Sequence, residues 1–298
     1  MKSYTVSKDQ STQFLAAIAA TLGLVATSST SLAEQDSLSE SSLIGAQQQE
    51  ARLLSAFFGL DNNLPFAANR LCWGASGEDG MPVVFSQTLD ADTLQPEDFE
   101  VTSKSGEAHT PKCVTLRPAQ DAGELRTVLL IGEFGDAPDN PPLSAKVVGE
   151  LLSDGSPTIN FKGTQVDVTP LAEGPSLVLA EPVPKKQWTQ ETNSTRCPQG
   201  IRQIIRVTWN GGVRRPDRGE AGEAERKLYR VEVQQSDGSL VEVTPIALAE
   251  LGDRDNNHFL CLDTGDPAVA VSFPEGRLVD PNGDLNLYTA VKVSTSGR

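Results

Sequence analysis

Cationic charge, histidine and long apolar runs are all scarce in this chain. Against 40 aspartates and glutamates stand 25 lysines and arginines, a net charge of −15. That excludes the broad basic surface which non-specific nucleic-acid binding requires, and it disfavours docking on anionic lipid. Histidine occurs only as His109 and His258. No P-loop, G-x-G-x-x-G, G-x-S-x-G or H-E-x-x-H spacing is present, so the common signatures of phosphate, dinucleotide, acyl-transfer and zinc chemistry are missing. The longest apolar run, Phe14–Ala26, has 13 residues, short of the roughly 20 that span a bilayer.

That run sits in the setting of an export signal. Lys2 and Lys8 precede it, and a Ser/Thr stretch follows, ending at Ser31-Leu32-Ala33. Residues 1–33 are expected to be a cleaved signal peptide, which places the mature chain in the periplasm or outside the cell with no membrane span. Cleavage removes Lys2, Lys8 and Asp9, leaving 23 basic and 39 acidic side chains and a net charge of −16.

Export changes how the four cysteines read. In an oxidising compartment an even number favours disulfides over free thiols. Three pairings are possible; the one placing a bridge in each half is Cys72–Cys113 with Cys197–Cys261. A zinc site fits poorly, because no C-x2-C spacing exists. On the chain-entropy model each bridge contributes about 3–4 kcal/mol.

The two halves differ in charge. Residues 61–182 carry 7 basic and 19 acidic side chains, whereas residues 183–298 carry 15 and 16. Domains are therefore expected at 61–182 and 183–298, after a polar leader and short helix over 34–60. The helix is read from 43–58, where Ile44, Ala51, Leu54 and Phe58 fall on one face, with Ser42 as N-cap and Gly59 at the end. From Leu64 onward the pattern changes to strands. Phe99 and Val101 alternate with Glu100 and Thr102, and Tyr229, Val231 and Val233 alternate with Arg230, Glu232 and Gln234. RTVLLIG (126–132) is continuously apolar, as in a strand covered on both faces. SGE, GDAPDNPP and SDGS supply turns between such runs, and 182–196 reads as the boundary between halves. Residues 212–227, charged throughout, read as a loop with one helical turn. The fold class expected is all-β, two tandem β-sandwiches.

The halves also resemble each other. Cys72 precedes MPVVFS by nine residues, and Cys197 precedes RVTWN by nine. FEVTSKSGEAHTPKCVTL parallels YRVEVQQSDGSLVEVTPI, and ELRTVLLIG can be laid on NNHFLCLDTG. A duplication would give two similar sandwiches, with the second cysteine of each pair on different strands.

PVVFSQTLDADTLQPEDFEV (82–101) resembles the opening of bacterial immunoglobulin-like domains found in surface-layer proteins and secreted adhesins. The matching positions are Thr93, Leu94, Pro96, Asp98 and Phe99. The resemblance implies an immunoglobulin-like sandwich, with Phe99 anchoring the core and Pro96 and Asp98 setting the turn. Such modules usually lack the two cysteines found here.

Candidate chemistry lies in loops. Asp280, Asn282, Asp284 and Asn286 alternate as do the oxygen ligands of a calcium loop, although Leu285 and Val291 depart from that pattern; a strand–turn–strand bending at Asn282-Gly283 is the other reading. Asp253 and Asp255, with Asn256 and Asn257, form a second acidic group, and Asp136, Asp139 and Asn140 a third. Arg214, Arg215 and Arg218 stand out in an acidic chain, as a site for an anionic group or as a loop neutralised by Asp217, Glu220, Glu223 and Glu225. Asn193-Ser194-Thr195 is a glycosylation sequon. The function expected is a non-catalytic binding or structural protein with no cofactor, or with calcium alone. Its partner would be an envelope or extracellular protein or polysaccharide. The alternative is a secreted hydrolase working through loop carboxylates.

Overall fold

A computed structural model describes residues 50–119, 123–188, 196–249 and 255–294. The expected signal peptide, the leader, the sequon and Asp253 lie outside these residues. Within them, β-strands dominate, and the only α-helix is one turn, α1 (Glu223–Arg226), in the charged loop where a helical turn was expected.

The first half contributes β1 (Leu53–Phe57), β2 (Asp79–Phe85), β3 (Phe99–Ser103), β4 (Ala108–His109), β5 (Cys113–Thr115), β6 (Thr127–Gly132), β7 (Pro142–Val147) and β8 (Gln165–Thr169). They form one sheet in the order β4-β3-β7-β8-β1-β2-β6-β5. The sheet closes over its own core: Phe85 of β2 meets Phe99 of β3 edge-on at 6.4 Å and Phe161 at 5.0 Å. Met81, Val83 and Phe85 project into this core, as do Val128 and Leu130 of β6 and Val101 of β3, the period of two seen in the sequence. Each fully buried aliphatic or aromatic side chain there stabilises the fold by about 1.5–3 kcal/mol. Phe99 anchors the core, and the Asp98 carboxylate accepts the Gln95 N–H at 2.9 Å to set the turn before it.

The second half contributes β9 (Leu177–Pro182), β10 (Gln203–Trp209), β11 (Arg230–Gln234), β12 (Leu240–Val243), β13 (Ala247–Ala249), β14 (Asn257–Leu262), β15 (Ala268–Phe273) and β16 (Thr289–Lys292). Two sheets, β12-β11-β15-β16 and β13-β14-β10-β9, face each other across a core around Trp209, Tyr229 and Phe273. Adding eight to every strand of the first half reproduces these orders. The parallel pairing of β1 with β8, Ala56 opposite Val168, recurs as a single parallel bridge between Ala180 and Val293. The two halves thus repeat one topology.

Two expectations are overturned. Residues 53–57 form β1, not helix; residues 43–49 lie outside the described chain. Ala56, Phe57 and Phe58 are all fully buried, Ala56 and Phe58 in the first core and Phe57 near Gly211 of the other half. A strand covered on both faces has no polar face to reveal a period of two, so the helical spacing of Ala51, Leu54 and Phe58 was fortuitous. Likewise β9, expected in the first half, pairs with β10 and belongs to the second half's sheet. Of the proline- and charge-rich stretch after it, Val183 and Trp188 pack with Ile204 and Phe259 of the second half, and residues 189–195 lie outside the described chain.

Both expected disulfides are present, Cys72–Cys113 and Cys197–Cys261. Each ties the loop between the first two strands of its half onto the outer face of a sheet. In the first half, Leu60, Leu64, Ala68 and Ala75 cover Ile131; in the second, Val183 packs with Ile204, Phe259 and Cys261, with Trp188 beside them. Cys113 lies opposite Ile131 across β5 and β6, and Ala247 lies opposite Cys261 across β13 and β14. The bridged cysteine has exchanged sides within one cross-strand pair.

Candidate binding surface at the junction and the arginine loop

The halves meet through buried charge. Glu181 on β9 accepts from Arg206 on β10 at 2.5 Å and from Arg126, just before β6, at 2.9 Å. Arg126 also donates to the carbonyls of Gly123 and Ser86. Burial pushes the Glu181 carboxyl up, but the two guanidiniums outweigh it and hold it below its ordinary value. Gly123, at φ +90°, leaves the room this needs: a Cβ there would lie 2.4 Å from an Arg206 nitrogen. Beside the triad, the Asn256 amide donates to Thr127 Oγ1 at 3.0 Å and to the Trp209 carbonyl at 2.6 Å. An apolar cavity of about 170 Å³ between Phe57, Leu60, Pro82, Leu129, Gly211 and Pro281 completes the junction.

The residues proposed for calcium are engaged in holding turns. The Asp280 side chain is fully buried, and its Oδ1 accepts the N–H groups of Gly283 and Asp284 at 2.7 and 2.8 Å. Asn282 donates to Asp284 at 2.7 Å. Asn286 accepts from the Arg277 and Leu278 N–H groups and donates to the carbonyls of Pro274 and Leu287. Asp255 accepts both the backbone and the side-chain amide of Asn257. Among the described residues no cluster of three or more His, Cys, Asp or Glu is placed to hold a metal ion.

The third acidic group has unforeseen neighbours. Asn62 donates to Asp61 and Asp136 at 2.8 and 2.9 Å, and Asn140 accepts the Ser105 N–H. Next to them Asp79, fully buried, accepts the N–H groups of Asn62 and Phe134, both at 2.7 Å. Burial, with Glu133 and Asp61 close by, pushes Asp79 up to about 6 despite those bonds, and burial beside Glu78 raises Glu133 as well. Sequence reading passed over Asp79 because an acid opening an apolar strand looks like part of a turn.

Of the histidines, His109 pairs on β4 against Val101. His258 is sealed in the second core, where its Nδ1 lies 2.8 Å from the Tyr229 hydroxyl, which accepts from Trp209 Nε1 at 3.2 Å. Burial pushes His258 down to about 4, which keeps the ring neutral near pH 7.

The structure brings the arginine loop to the 280–286 turn. Arg214 exchanges backbone hydrogen bonds with Val279, and its Nη2 donates to the Pro281 carbonyl at 3.2 Å. The basic cluster then divides. Arg215 pairs with Asp217, Arg226 and Lys227 with Glu223, and Arg230 with Glu242. Arg214 and Arg218 have no carboxylate partner among the described residues. These two, with Pro281, border two clefts of about 380 and 360 Å³, one reaching Glu220 and the other Asn282 and Leu285.

No family model and no curated protein matches the chain. Among solved structures it is similar to the N-terminal part of the bacterial S-layer protein SbsC, at 13% identity and a TM-score of 0.29, covering 88% of this chain and 48% of that one. It is also similar to domains 1–6 of surface layer protein SbsC, at 12% identity and a TM-score of 0.31, covering 82% and 45%. The chain thus spans under half the length of these proteins, and at such TM-scores the likeness carries neither fold nor function across.

Proposed function

We propose that this chain is an exported, non-catalytic structural or binding protein, made of two immunoglobulin-like sandwiches joined into one stiff unit. The observation that carries the reading is the junction. Two copies of one strand order are fastened by the buried Arg126–Glu181–Arg206 triad rather than by a free linker, an arrangement suited to holding an orientation. Two disulfides support the export part of the reading, since such bridges persist in oxidising compartments. The change-over between modules is best placed between β8 and β9, and the partner is an envelope or extracellular protein or polysaccharide. Calcium has no part in this reading, because the Asp280 and Asn286 side chains already serve backbone groups.

Fractionation of the source cells, followed by intact mass measurement, tests it. The expected product is a chain beginning at Glu34, found in the envelope or medium, without free thiols. A full-length chain in the cytoplasm carrying four thiols overturns the reading.

A further inference from the structure

We propose that the paired clefts around Arg214 and Arg218 bind an oxyanion, a carboxylate or a phosphate ester carried by a ligand outside this chain. Unlike the structural role proposed above, this is a local chemical property and does not depend on it.

The selection of these two arginines from a longer basic run carries the argument. Arg215 and Arg230 each pair with a carboxylate of their own surroundings, and Arg226 and Lys227 share Glu223. Arg215 is held at both Nε and Nη2 by Asp217, at 3.1 and 2.9 Å. Arg214 and Arg218 have no carboxylate partner among the described residues of a protein of net charge −15, and both border the same two clefts, one of which also reaches Glu220.

Arg214 is also positioned. Its backbone is pinned to Val279, and its Nη2 is fixed by the Pro281 carbonyl, so little side-chain freedom remains to be lost on binding. Its Nε is buried without a hydrogen-bond partner, so the guanidinium is only partly satisfied by the protein, through Nη2 alone. An oxyanion in the adjoining cleft offsets that charge. Arg218 sits at φ 69°, an unfavourable conformation for a side chain with a Cβ, maintained by the turn in which its N–H donates to Arg215 and Asp217 accepts from Gly219. The turn holds Arg218 exposed beside the clefts. At 360–380 Å³ each cleft lies within the range of about 300–1,000 Å³ typical of small-ligand sites. The planar guanidinium fork matches carboxylate and phosphate equally, so the shared chemistry is the oxyanion itself.

The test is titration of the full-length chain with inorganic phosphate and with glucuronate, each at ionic strength matched with sodium chloride, read by calorimetry and by amide chemical shifts. Saturable binding of at least one probe is expected, with shifts in 212–220 and 279–285. Tighter phosphate binding assigns a phosphate ester; tighter glucuronate binding assigns a carboxylate. Arg218→Asn, which tolerates the left-handed backbone, and Arg214→Gln should each weaken binding about tenfold, the loss expected for one charge-assisted hydrogen bond. Arg215→Gln should leave it unchanged. No saturable binding of either probe overturns the proposal, as does an equal loss in Arg215→Gln and Arg218→Asn, which means diffuse charge and not these clefts. Should Arg214→Gln fail to fold, the contrast between Arg218→Asn and Arg215→Gln decides alone.

Discussion

The two halves use the same strand order to enclose different chemistry. Phe85 and Trp209 hold one position, each opposite the leucine that opens the first strand of its half, Leu53 and Leu177. Val128 and His258 hold another, opposite Val83 and Val207. Phe99 and Tyr229 match as well, each two residues before the valine, Val101 or Val231, that pairs centrally in its sheet. The first core is thus hydrocarbon, and the second is a hydrogen-bonded run from Trp209 through Tyr229 to His258. One architecture accepts either, with the Trp209 and Tyr229 polar atoms hydrogen-bonded inside the second core. At a fourth matched position the first half has Phe57 and the second Glu181, and that exchange supplies the carboxylate for the junction.

The largest effect is expected where the halves differ most. Glu181→Ala leaves Arg126 and Arg206 buried without their shared carboxylate and should cost about 3–5 kcal/mol in urea denaturation. Replacing all three by apolar residues should recover much of that. A loss under 1 kcal/mol in the single variant shows that the triad does not fasten the junction.

Next in size is an opposed pair of pH dependences. Held down to about 4, His258 binds fewer protons folded than unfolded between that value and its ordinary 6.5. Its contribution is complete above about 6.5 and falls as the medium is acidified towards 4, by up to about 3 kcal/mol. Asp79, held up to about 6 from 3.8, has the opposite sign, contributing fully below about 3.8 and losing its contribution as pH rises through 6. In the wild type these two contributions oppose each other between these limits. His258→Val, the residue that the first half carries there, should give stability that falls with pH; Asp79→Asn should give stability that rises. Variant curves parallel to the wild type contradict both assignments.

A smaller loss of about 1–3 kcal/mol is expected for Tyr229→Phe, which imports the first half's Phe99 but deprives Trp209 Nε1 and His258 Nδ1 of their partner. The cost should shrink when His258→Val is already present, and additive losses in that double-mutant cycle disprove the coupling. Smallest of all is the expected response to calcium, with no change in melting temperature on addition or chelation. A shift of several degrees restores a metal to the acidic loops.

Much of the fold was readable where strands have one covered face. Phe99-Glu-Val-Thr and Tyr229-Arg-Val-Glu alternate, and both became strands near the expected bounds. The disulfide pairing followed from one bridge per half. β1 was misread because burial on both faces removes the alternation, and β9 because prolines and charge after it imitated a linker. The polar run in the second core was hidden for another reason: Trp209, Tyr229 and His258 lie 20 and 29 positions apart, and no local pattern marks residues that meet only through the fold. The charged loop was half legible. Its composition pointed to neutralisation, but which arginines go unpaired depends on the contact with Val279 and Pro281 across the fold.

The parallel pairing of β1 with β8, and of β9 with the stretch after β16, has a mechanical consequence. Because the paired strands run the same way, the chain enters each half at one end of the pair and leaves at the other. A pull on the two ends of a half then loads the Ala56–Val168 pairing, and in the second half the Ala180–Val293 bridge, along the strands instead of across them. Hydrogen bonds strained in that direction share the load and give way together, whereas those of a hairpin peel open one by one. This arrangement makes the first and last strands of the first half, paired at the middle of its sheet, the members that carry tension.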